Sequence, residues 1–267
     1  MAAGYCAAQN AQQVTVVDDN SSWGGQIWRG EMTKLETPEA PRWFRKVQGM
    51  QAEFVSGAKV FDCPEPGLLL AEALEGVFEL RHKNLIITTG ARERFLPFPG
   101  WTLPNVMGAG GLQALVKSGL PIHGKKVVVA GSGPLLLAVA AYLREHGADI
   151  CLIAEQAPFR QMLLFGMALF KYPGKLLQLT KLEKRLMGVR YLTSCWPTAA
   201  KGSEKLVSVS LRQGNKVWEV PCDYLACGYH LVPNVELARL LGCELQNGSV
   251  RVGDYQETSV NHVYCAG

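Results

Sequence analysis

Two glycines separated by a serine, Gly131 and Gly133, carry the clearest chemical signal in this 267-residue chain. They follow an apolar run at 127–130 and precede a stretch without helix breakers, so the sequence predicts a strand, a tight turn and a helix. Such a turn brings backbone N–H groups to the start of a helix, where the helix dipole favours negative charge. The motif therefore predicts a pyrophosphate site that also includes Ser132 and Pro134.

The residues downstream of this turn leave two interpretations open. Leu136 replaces the third glycine of the usual fingerprint, and Ala154 stands where the ribose-binding acid usually falls. Glu155 comes one step later, and strand alternation would point its side chain to the other face of the sheet. Residues 131–155 are therefore either an NAD(P)-type site that includes Glu155 or part of a Rossmann-type domain kept as a scaffold or a partner surface.

A second acid, Asp18, ends the β-branched run at 14–17, and Gly24 and Gly25 follow it in a predicted loop. This order is typical of the second half of a nucleotide-binding βαβ unit, in which the acid binds a ribose. In the strand–turn–helix–strand unit at 127–155, 23 positions separate Gly131 from position 154, where the ribose-binding acid usually falls. Only 17 residues precede Asp18. We therefore expect the first strand of this unit and its glycine turn to be missing.

The other glycines and the cysteines predict less chemistry. The segment MGAGGLQAL at 107–115 has no apolar strand before it, which favours a helix start or close packing over a phosphate loop. The eight cysteines form no CxxC and no Cys/His cluster with ligand spacing, so we predict reduced thiols and no metal site. Cys222 and Cys227 would lie on opposite faces of one strand, roughly 16 Å apart, which is too far for a disulfide.

Composition excludes several broad classes of protein. The chain is 48% apolar with a net charge of +4, which suits a large buried core and argues little for a nucleic-acid partner. It contains no apolar stretch long enough to cross a bilayer, and its beginning lacks the pattern of a signal peptide. We therefore expect a cytoplasmic protein without a transmembrane segment, with peripheral contact to the inner membrane through a partner as the alternative.

Five segments stand in a fixed order along the chain: VTVVDDNSSWGGQIWRG, LIITTGARERFLPFPGW, GKKVVVAGSGP, CDYLACGYHLVPN and TSVNHVYCAG. In this order they resemble the pyridine nucleotide-disulfide oxidoreductase family, over nearly the whole length of the chain. The resemblance is closest to the branch that includes subunits of hydrogen cyanide synthase and opine oxidase and the α-type subunits of amino-acid dehydrogenases. It implies an α/β fold of the glutathione-reductase type, with two Rossmann-like, three-layer dinucleotide-binding domains.

The resemblance also implies an FAD site. Asp18 matches the acid on the adenosine ribose, and Val60 matches a backbone position that pairs with the adenine. The complete implied set is Asp18, Gly24, Gly25, Gln26, Val60, Thr89, Gly90 and Gly267. In the family an acid that holds the ribityl chain follows the last of these glycines, so we expect it at position 268, one residue beyond the end of this chain.

The expected domain order is discontinuous. An incomplete FAD-binding domain takes residues 1–94 and returns at 228–267, and an NAD(P)-type Rossmann domain occupies 95–227. Within the latter, residues 161–187 contain an amphipathic helix after Pro173, which packs on its own domain or contacts a partner subunit or a membrane surface. His230 stands where relatives more often have a glycine, and is either a group that tunes the flavin or passes a proton, or a loop residue in water.

Three functions remain open from the sequence. The first is an FAD-dependent oxidoreductase subunit that oxidises a C–H next to nitrogen in a small molecule such as an amino acid, an opine or glycine, together with a second flavin-containing subunit. The second is an NAD(P)H-dependent flavin reductase, which needs a working site at 131–155. The third is a non-catalytic, truncated nucleotide-binding remnant, which would be colourless after purification.

Overall fold

The computed structural model describes residues 1–10, 13–21, 23–25, 28 and 39–266. The chain divides into two compact units, of which the first is Met1–Arg92 with Val232–Gly267 and the second is Glu93–Leu231. These divisions fall two and four residues from the domain limits expected at 94 and 227. Strands β7 (Ala91–Glu93) and β16 (Leu231–Pro233) form a two-stranded sheet.

The first unit combines short parallel pairs with an antiparallel meander. Strand β1 (Val14–Asp18) pairs in parallel with β2 (Ala52–Ser56), and β6 (Leu85–Ile87) pairs in parallel with β19 (Val263–Cys265). The remaining elements of this unit are the meander β3 (Lys59–Glu65), β4 (Leu68–Ala73) and β5 (Gly76–Arg81), the pair β17 (Leu245–Gln246) and β18 (Ser249–Val250), and the helices α1 (Ala2–Gln9), α2 (Glu39–Gln48) and α7 (Glu236–Leu240).

The second unit is built on a five-stranded parallel sheet in the order β11-β10-β9-β15-β8. Its strands are β8 (Val106–Gly108), β9 (Lys126–Gly131), β10 (Asp149–Glu155), β11 (Arg190–Leu192) and β15 (Tyr224–Gly228). A three-stranded antiparallel sheet consists of β12 (Cys195–Lys201), β13 (Ser208–Gln213) and β14 (Lys216–Pro221). The helices are α3 (Ala109–Lys117), α4 (Leu135–Glu145), α5 (Phe159–Leu169) and α6 (Pro173–Arg185).

The central strand β9 shows why this unit forms around a parallel sheet. Val127, Val128, Val129 and Ala130 are all fully buried, as expected for a strand that is covered on both faces. Helix α4 covers one of these faces with Leu136 and other fully buried residues. The predicted α/β class is thus confirmed. Among the helices in the described part of the chain, none is both long and apolar enough to span a bilayer.

Candidate functional site

The glycine turn after β9 is fixed by direct contact with the end of β15. Gly131 has a φ of +148°, and a Cβ at this position would overlap the carbonyl group of Gly228. Ser132, the next residue, donates its backbone N–H to the same carbonyl oxygen at 2.8 Å. Gly133 has a φ of +98° and open space around its Cα, whereas Pro134 is exposed at the start of α4. The predicted strand, turn and helix are therefore present.

The Glu155 carboxylate lies inside this turn. Its Oε2 accepts the backbone N–H of Gly133 at 2.9 Å, and its Oε1 accepts that of Ala157 at 2.8 Å. The residue is 0% exposed. The expectation that strand alternation points Glu155 away from the turn is therefore wrong.

A β-bulge in β10 explains the difference. The pairing of β10 with β9 shifts between Ile150 and Leu152, so Cys151 is an extra residue in β10. A bulge of this kind moves every later side chain by one position relative to the partner strand. As a result Glu155 pairs with Gly131. Its carboxylate therefore lies beside the glycine turn, although the residue comes one position later in the sequence than the usual acid. Ala154, at the position first considered for the acid, is buried in the apolar cluster on the opposite face of the sheet.

Tyr191, in β11, contacts the same carboxylate. Its hydroxyl donates to Glu155 Oε2 at 3.3 Å, and burial, reinforced by the negative charge of Glu155, raises the pKa of Tyr191 well above its usual value. The tyrosine therefore stays a protonated donor and Glu155 stays covered. An adenosine ribose could reach this acid only if Tyr191 moved, and the N–H of the second glycine is already bonded.

In the described conformation these residues therefore do not fit a bound NAD(P). Leu136 supports this conclusion, because it fills the position of the third glycine and is fully buried in the core of the unit.

Glu93 is a site residue that the sequence analysis missed. Its two carboxylate oxygens accept the backbone N–H groups of Gly110 at 2.8 Å and of Gly111 at 3.2 Å. These N–H groups belong to the first turn of α3, so the carboxylate caps the positive end of that helix. The prediction of a helix start at 107–115 is thus confirmed, but a short strand, β8, does precede it.

In the first unit, Asp18 lies at the carboxyl end of β1 and is half-buried. Asn20 donates both its backbone N–H, at 3.0 Å, and its side-chain amide, at 2.9 Å, to Asp18 Oδ1. The Asp18 carbonyl accepts the N–H of Ala58 at 3.0 Å, which fastens the strand end to the loop before β3. The carboxylate is therefore held in a defined orientation.

The loop after Asp18 contains the two predicted glycines in left-handed conformations. Gly24 has a φ of +114° and Gly25 a φ of +56°, and the Gly24 carbonyl accepts the backbone N–H of Trp28 at 3.1 Å. Trp23 stacks on Phe54 of β2 with ring centroids 4.1 Å apart. Gln26 and Gly267, which belong to the same predicted FAD set, lie outside the described residues.

Val60 belongs to β3, which is an edge strand of the meander. It pairs with Ala71 of β4 on one side, and the other side of the β3 backbone faces away from the sheet. An edge strand presents N–H and C=O groups that can pair with another molecule. In the described part of the chain, β3 therefore offers an unpaired strand edge of the kind that the predicted backbone contact to adenine requires.

Thr89 and Gly90 are clamped by Asn234, a second residue that the sequence analysis missed. The Asn234 side-chain amide donates to the Thr89 carbonyl at 2.9 Å, and the Thr89 hydroxyl donates to the Asn234 carbonyl at 2.7 Å. The Asn234 backbone N–H also donates to the Gly90 carbonyl at 2.9 Å, and Arg92 donates to Asn234 Oδ1 at 2.8 Å. The predicted turn is thus fixed by a residue 145 positions later in the chain.

His230 is exposed, and its backbone carbonyl accepts the N–H of Arg94 at 2.7 Å. The structure brings this side chain to none of the other described site residues, so its predicted catalytic role stays a prediction.

Both cysteines of the Cys222–Cys227 pair are free thiols. The expectation of opposite faces on one strand is wrong, because Cys222 lies in the connection before β15 and both side chains belong to one apolar cluster. Burial raises the pKa of Cys222 and that of Cys227 to about 12, with Glu93 adding to the effect on Cys227. The nucleophilic thiolate is therefore scarce at neutral pH.

We expect these two thiols to resist an aromatic disulfide reagent at about pH 8, whereas the exposed Cys6 reacts. A Cys6→Ser variant removes the fast phase and serves as the matched control. In the unfolded chain Cys222 and Cys227 ionise near pH 8.5, whereas in the folded protein they stay protonated up to about pH 12. The free energy of unfolding should therefore fall as the pH rises above about 8.5. Rates for Cys222 and Cys227 equal to that of Cys6 in the native protein would contradict the burial argument.

The fold and the glycine turn define a class of α/β proteins with dinucleotide-binding units. The family described as pyridine nucleotide-disulphide oxidoreductase matches residues 1–267, and the chain belongs to this family of oxidoreductases, whose members bind FAD and NAD(P).

Among curated proteins, the HcnB subunit of the hydrogen cyanide synthase of Pseudomonas aeruginosa is 29% identical over 293 residues, which cover 100% of this chain and 63% of the relative. One subunit of the opine oxidase of Agrobacterium tumefaciens is 29% identical over 273 residues, which cover 92% of this chain and 53% of the relative. The chain thus spans between about half and two thirds of the length of these relatives.

The solved structures show the same fold. Thioredoxin reductase of T. acidophilum superposes with a TM-score of 0.73 at 21% identity, over 99% of this chain and 84% of that one. A NAD-dependent persulfide reductase from A. fulgidus gives a TM-score of 0.72 at 19% identity, over 100% of this chain and 50% of that one. The predicted fold of two Rossmann-like domains, of the kind that this family shares, is confirmed.

Proposed function

We propose that this chain belongs to an FAD-dependent oxidoreductase that oxidises a C–H bond next to nitrogen in an amino acid, an opine or glycine. The observation that carries the FAD site is the Asp18 carboxylate, which Asn20 orients at the carboxyl end of β1. In parallel α/β units, ligands bind outside the carboxyl ends of the strands, and an acid at this position suits a ribose hydroxyl. The proposal does not require a dinucleotide at the Glu155 site.

The substrate class rests on the relatives. One of them belongs to hydrogen cyanide synthase and another to opine oxidase, in each case as one of the subunits. Both names indicate oxidation of a carbon bonded to nitrogen. Removal of a hydride from that carbon and a proton from the nitrogen leaves an imine, and the flavin supplies the two-electron acceptor. As both relatives are subunits, we also propose a second, flavin-containing subunit as the partner.

Within this proposal the described residues bind and orient rather than react. Asp18 accepts hydrogen bonds from the adenosine ribose, and the outward edge of β3 at Val60 pairs with the adenine. The turn at Thr89 and Gly90, held by Asn234, fixes the end of β6 where the chain leaves the first unit. No described residue is assigned to proton transfer.

An NAD(P)H-dependent flavin reductase is the second candidate, and the glycine turn at Gly131 and Gly133 favours it. The covered Glu155 carboxylate argues against it, since an anion already occupies the N–H that a pyrophosphate would approach. Mixing the flavin-loaded protein anaerobically with NADH separates the two candidates. Rapid loss of the flavin absorption band would establish the reductase.

The substrate proposal is tested on the protein purified together with its second subunit. We expect glycine, alanine or an opine to bleach the flavin anaerobically, and we expect glycolate and lactate, which replace the nitrogen with oxygen, to leave it oxidised. Equal bleaching by the hydroxy acids, or none by any nitrogen compound, would contradict the proposed substrate class. A protein that stays colourless with added FAD would instead indicate a non-catalytic remnant.

For the cofactor site itself, we expect Asp18→Ala to weaken FAD binding by about tenfold or more, because hydrogen bonds to a charged acceptor are lost. Titration of the protein with FAD, followed by flavin fluorescence, measures the change. Asp19→Ala is the matched control, because Asp19 is the exposed neighbour that follows the end of β1, and it shares with Asp18 only the side-chain amide of Asn20. Equal losses in the two variants would show that Asp18 does not touch the cofactor.

A further inference from the structure

The second unit carries an exposed apolar surface on α5 and on the turn that leads into α6, here called the α5–α6 surface. Helix α5 has no buried residue. Its exposed large apolar side chains are Phe159, Leu163, Leu164, Phe165 and Met167, and Phe170 follows directly after the helix. A cluster of this size on one helix marks a contact site in a folded protein, whereas scattered single residues do not.

Helix α6 also has no buried residue within its bounds, but Leu177 is its one exposed large apolar side chain, so the exposed apolar cluster is localised on α5. Its inward arc packs on the unit, with Leu182 against the core and Leu186 buried at its end. The ion pair of Arg185 with Glu145 at 3.0 Å also fastens α6 to α4. The expectation that this helix packs on its own domain is therefore confirmed for its inward arc, and the unpartnered apolar face belongs to α5.

Four of the six exposed apolar residues form a stripe, and Leu164 and Phe165 lie on other sides of α5. Phe159, Leu163, Met167 and Phe170 are spaced by four, four and three residues, which places them along one side of a helix. The half-buried residues Met162, Gly166 and Leu169 lie on the neighbouring side, which faces the unit. The stripe is therefore exposed along the flank of α5 that lies next to its packed side.

The charge of the same segment is strongly positive. Residues 159–187 contain six basic side chains and one acidic one, for a net charge of +5, whereas the whole chain has +4. The rest of the chain is therefore close to neutral, and the positive charge is concentrated in the segment that carries the apolar stripe, with Arg160, Lys171 and Lys175 nearest to it in the sequence. Two copies of this surface would repel each other, so charge favours an anionic occupant over self-association.

The turn between the helices adds a place for a phosphate group. A cavity of about 530 Å³ is lined by Lys171, Tyr172, Pro173, Gly174, Lys175 and Gln178. It lies at the first turn of α6, and the two lysines in its lining supply positive charge for a phosphate. A hydrophobic stripe with a cationic phosphate site at its end matches the boundary between headgroups and acyl chains of a bilayer.

We infer that the α5–α6 surface binds peripherally to a bilayer that contains anionic phospholipid. The apolar side chains of α5 insert between the acyl chains, and the lysines of the turn contact lipid phosphates. This inference does not depend on the flavin or on the proposed substrate.

Vesicle flotation tests it with the whole protein. We expect binding to phosphatidylcholine vesicles that contain roughly one-third phosphatidylglycerol, and at least about tenfold weaker binding to pure phosphatidylcholine. The double variant Leu163→Glu/Phe170→Glu should lose binding by about tenfold or more. Its control is Leu74→Glu/Val77→Glu, which places the same charges on exposed apolar positions of the first unit and should bind as the wild type does.

A second pair of double variants tests the contribution of the two lysines in the turn before α6. Lys171→Glu/Lys175→Glu should weaken binding to the anionic vesicles, and Lys205→Glu/Lys216→Glu, on exposed positions elsewhere, should not. Circular dichroism confirms that each variant is folded. Binding to neither vesicle, equal binding to both, or a dimer in sedimentation that the Leu163→Glu/Phe170→Glu variant dissociates would each overturn the inference. An acidic protein that competes for this surface while vesicles do not bind would overturn it as well.

Discussion

Replacement of Glu155 by alanine is expected to lower the free energy of unfolding of the second unit by about 3–5 kcal/mol. The carboxylate is fully buried and accepts the N–H groups of Gly133 and Ala157 and the hydroxyl of Tyr191. Its removal leaves three half-buried donors without their acceptor, and an unsatisfied donor costs about 1–3 kcal/mol, with partly exposed groups at the lower end of that range. Urea unfolding followed by circular dichroism measures the loss.

Tyr191→Phe is the matched control for this prediction. It removes one hydrogen bond of 3.3 Å to the same carboxylate and leaves the two backbone contacts in place, so the expected loss is about 1 kcal/mol. Glu155→Gln should fall between the two variants, since an amide keeps one acceptor but turns a donor toward an N–H. A Glu155→Ala variant within about 1 kcal/mol of the wild type would show that the carboxylate does not hold the turn.

The second large effect is expected at Gly131. A Cβ there would overlap the backbone of Gly228, and the φ of +148° is one that side chains rarely adopt. Relief of the overlap must separate β9 from β15 and break the Ser132–Gly228 hydrogen bond, so Gly131→Ala should cost about 3 kcal/mol or more. Thermal unfolding of the purified variants measures the effect.

Gly133→Ala separates the cost of the steric overlap from the cost of the positive φ. Gly133 also has a positive φ, of +98°, but open space surrounds its Cα. This substitution therefore adds backbone strain without an overlap, at about 1–2 kcal/mol. Equal stability of the Gly131→Ala and Gly133→Ala variants would show that the contact between the ends of β9 and β15 does not contribute to stability.

The sequence alone determined the local parts of both candidate sites. The apolar run at 127–130, Gly131 and Gly133 fix a buried strand, a turn and a helix start, because strand burial and glycine conformations depend on neighbours in the chain. Asp18 at the end of a β-branched run is a signal of the same kind. The order of the five segments then carried the family resemblance, and through it the two-domain fold.

The partners of these residues could not be predicted, because tertiary packing decides them. Glu155 reaches the turn only through the bulge at Cys151, which depends on how β10 pairs with β9. Glu93 caps a helix that begins many residues later, and Asn234 clamps Thr89 across 145 positions.

Tertiary packing also decided which apolar side chains are exposed. The apolar residues of α5 look like core residues in the sequence, and only the folded unit leaves them on the surface. Local conformation follows from each residue and its neighbours, whereas hydrogen-bond partners and burial follow from which distant elements pack together.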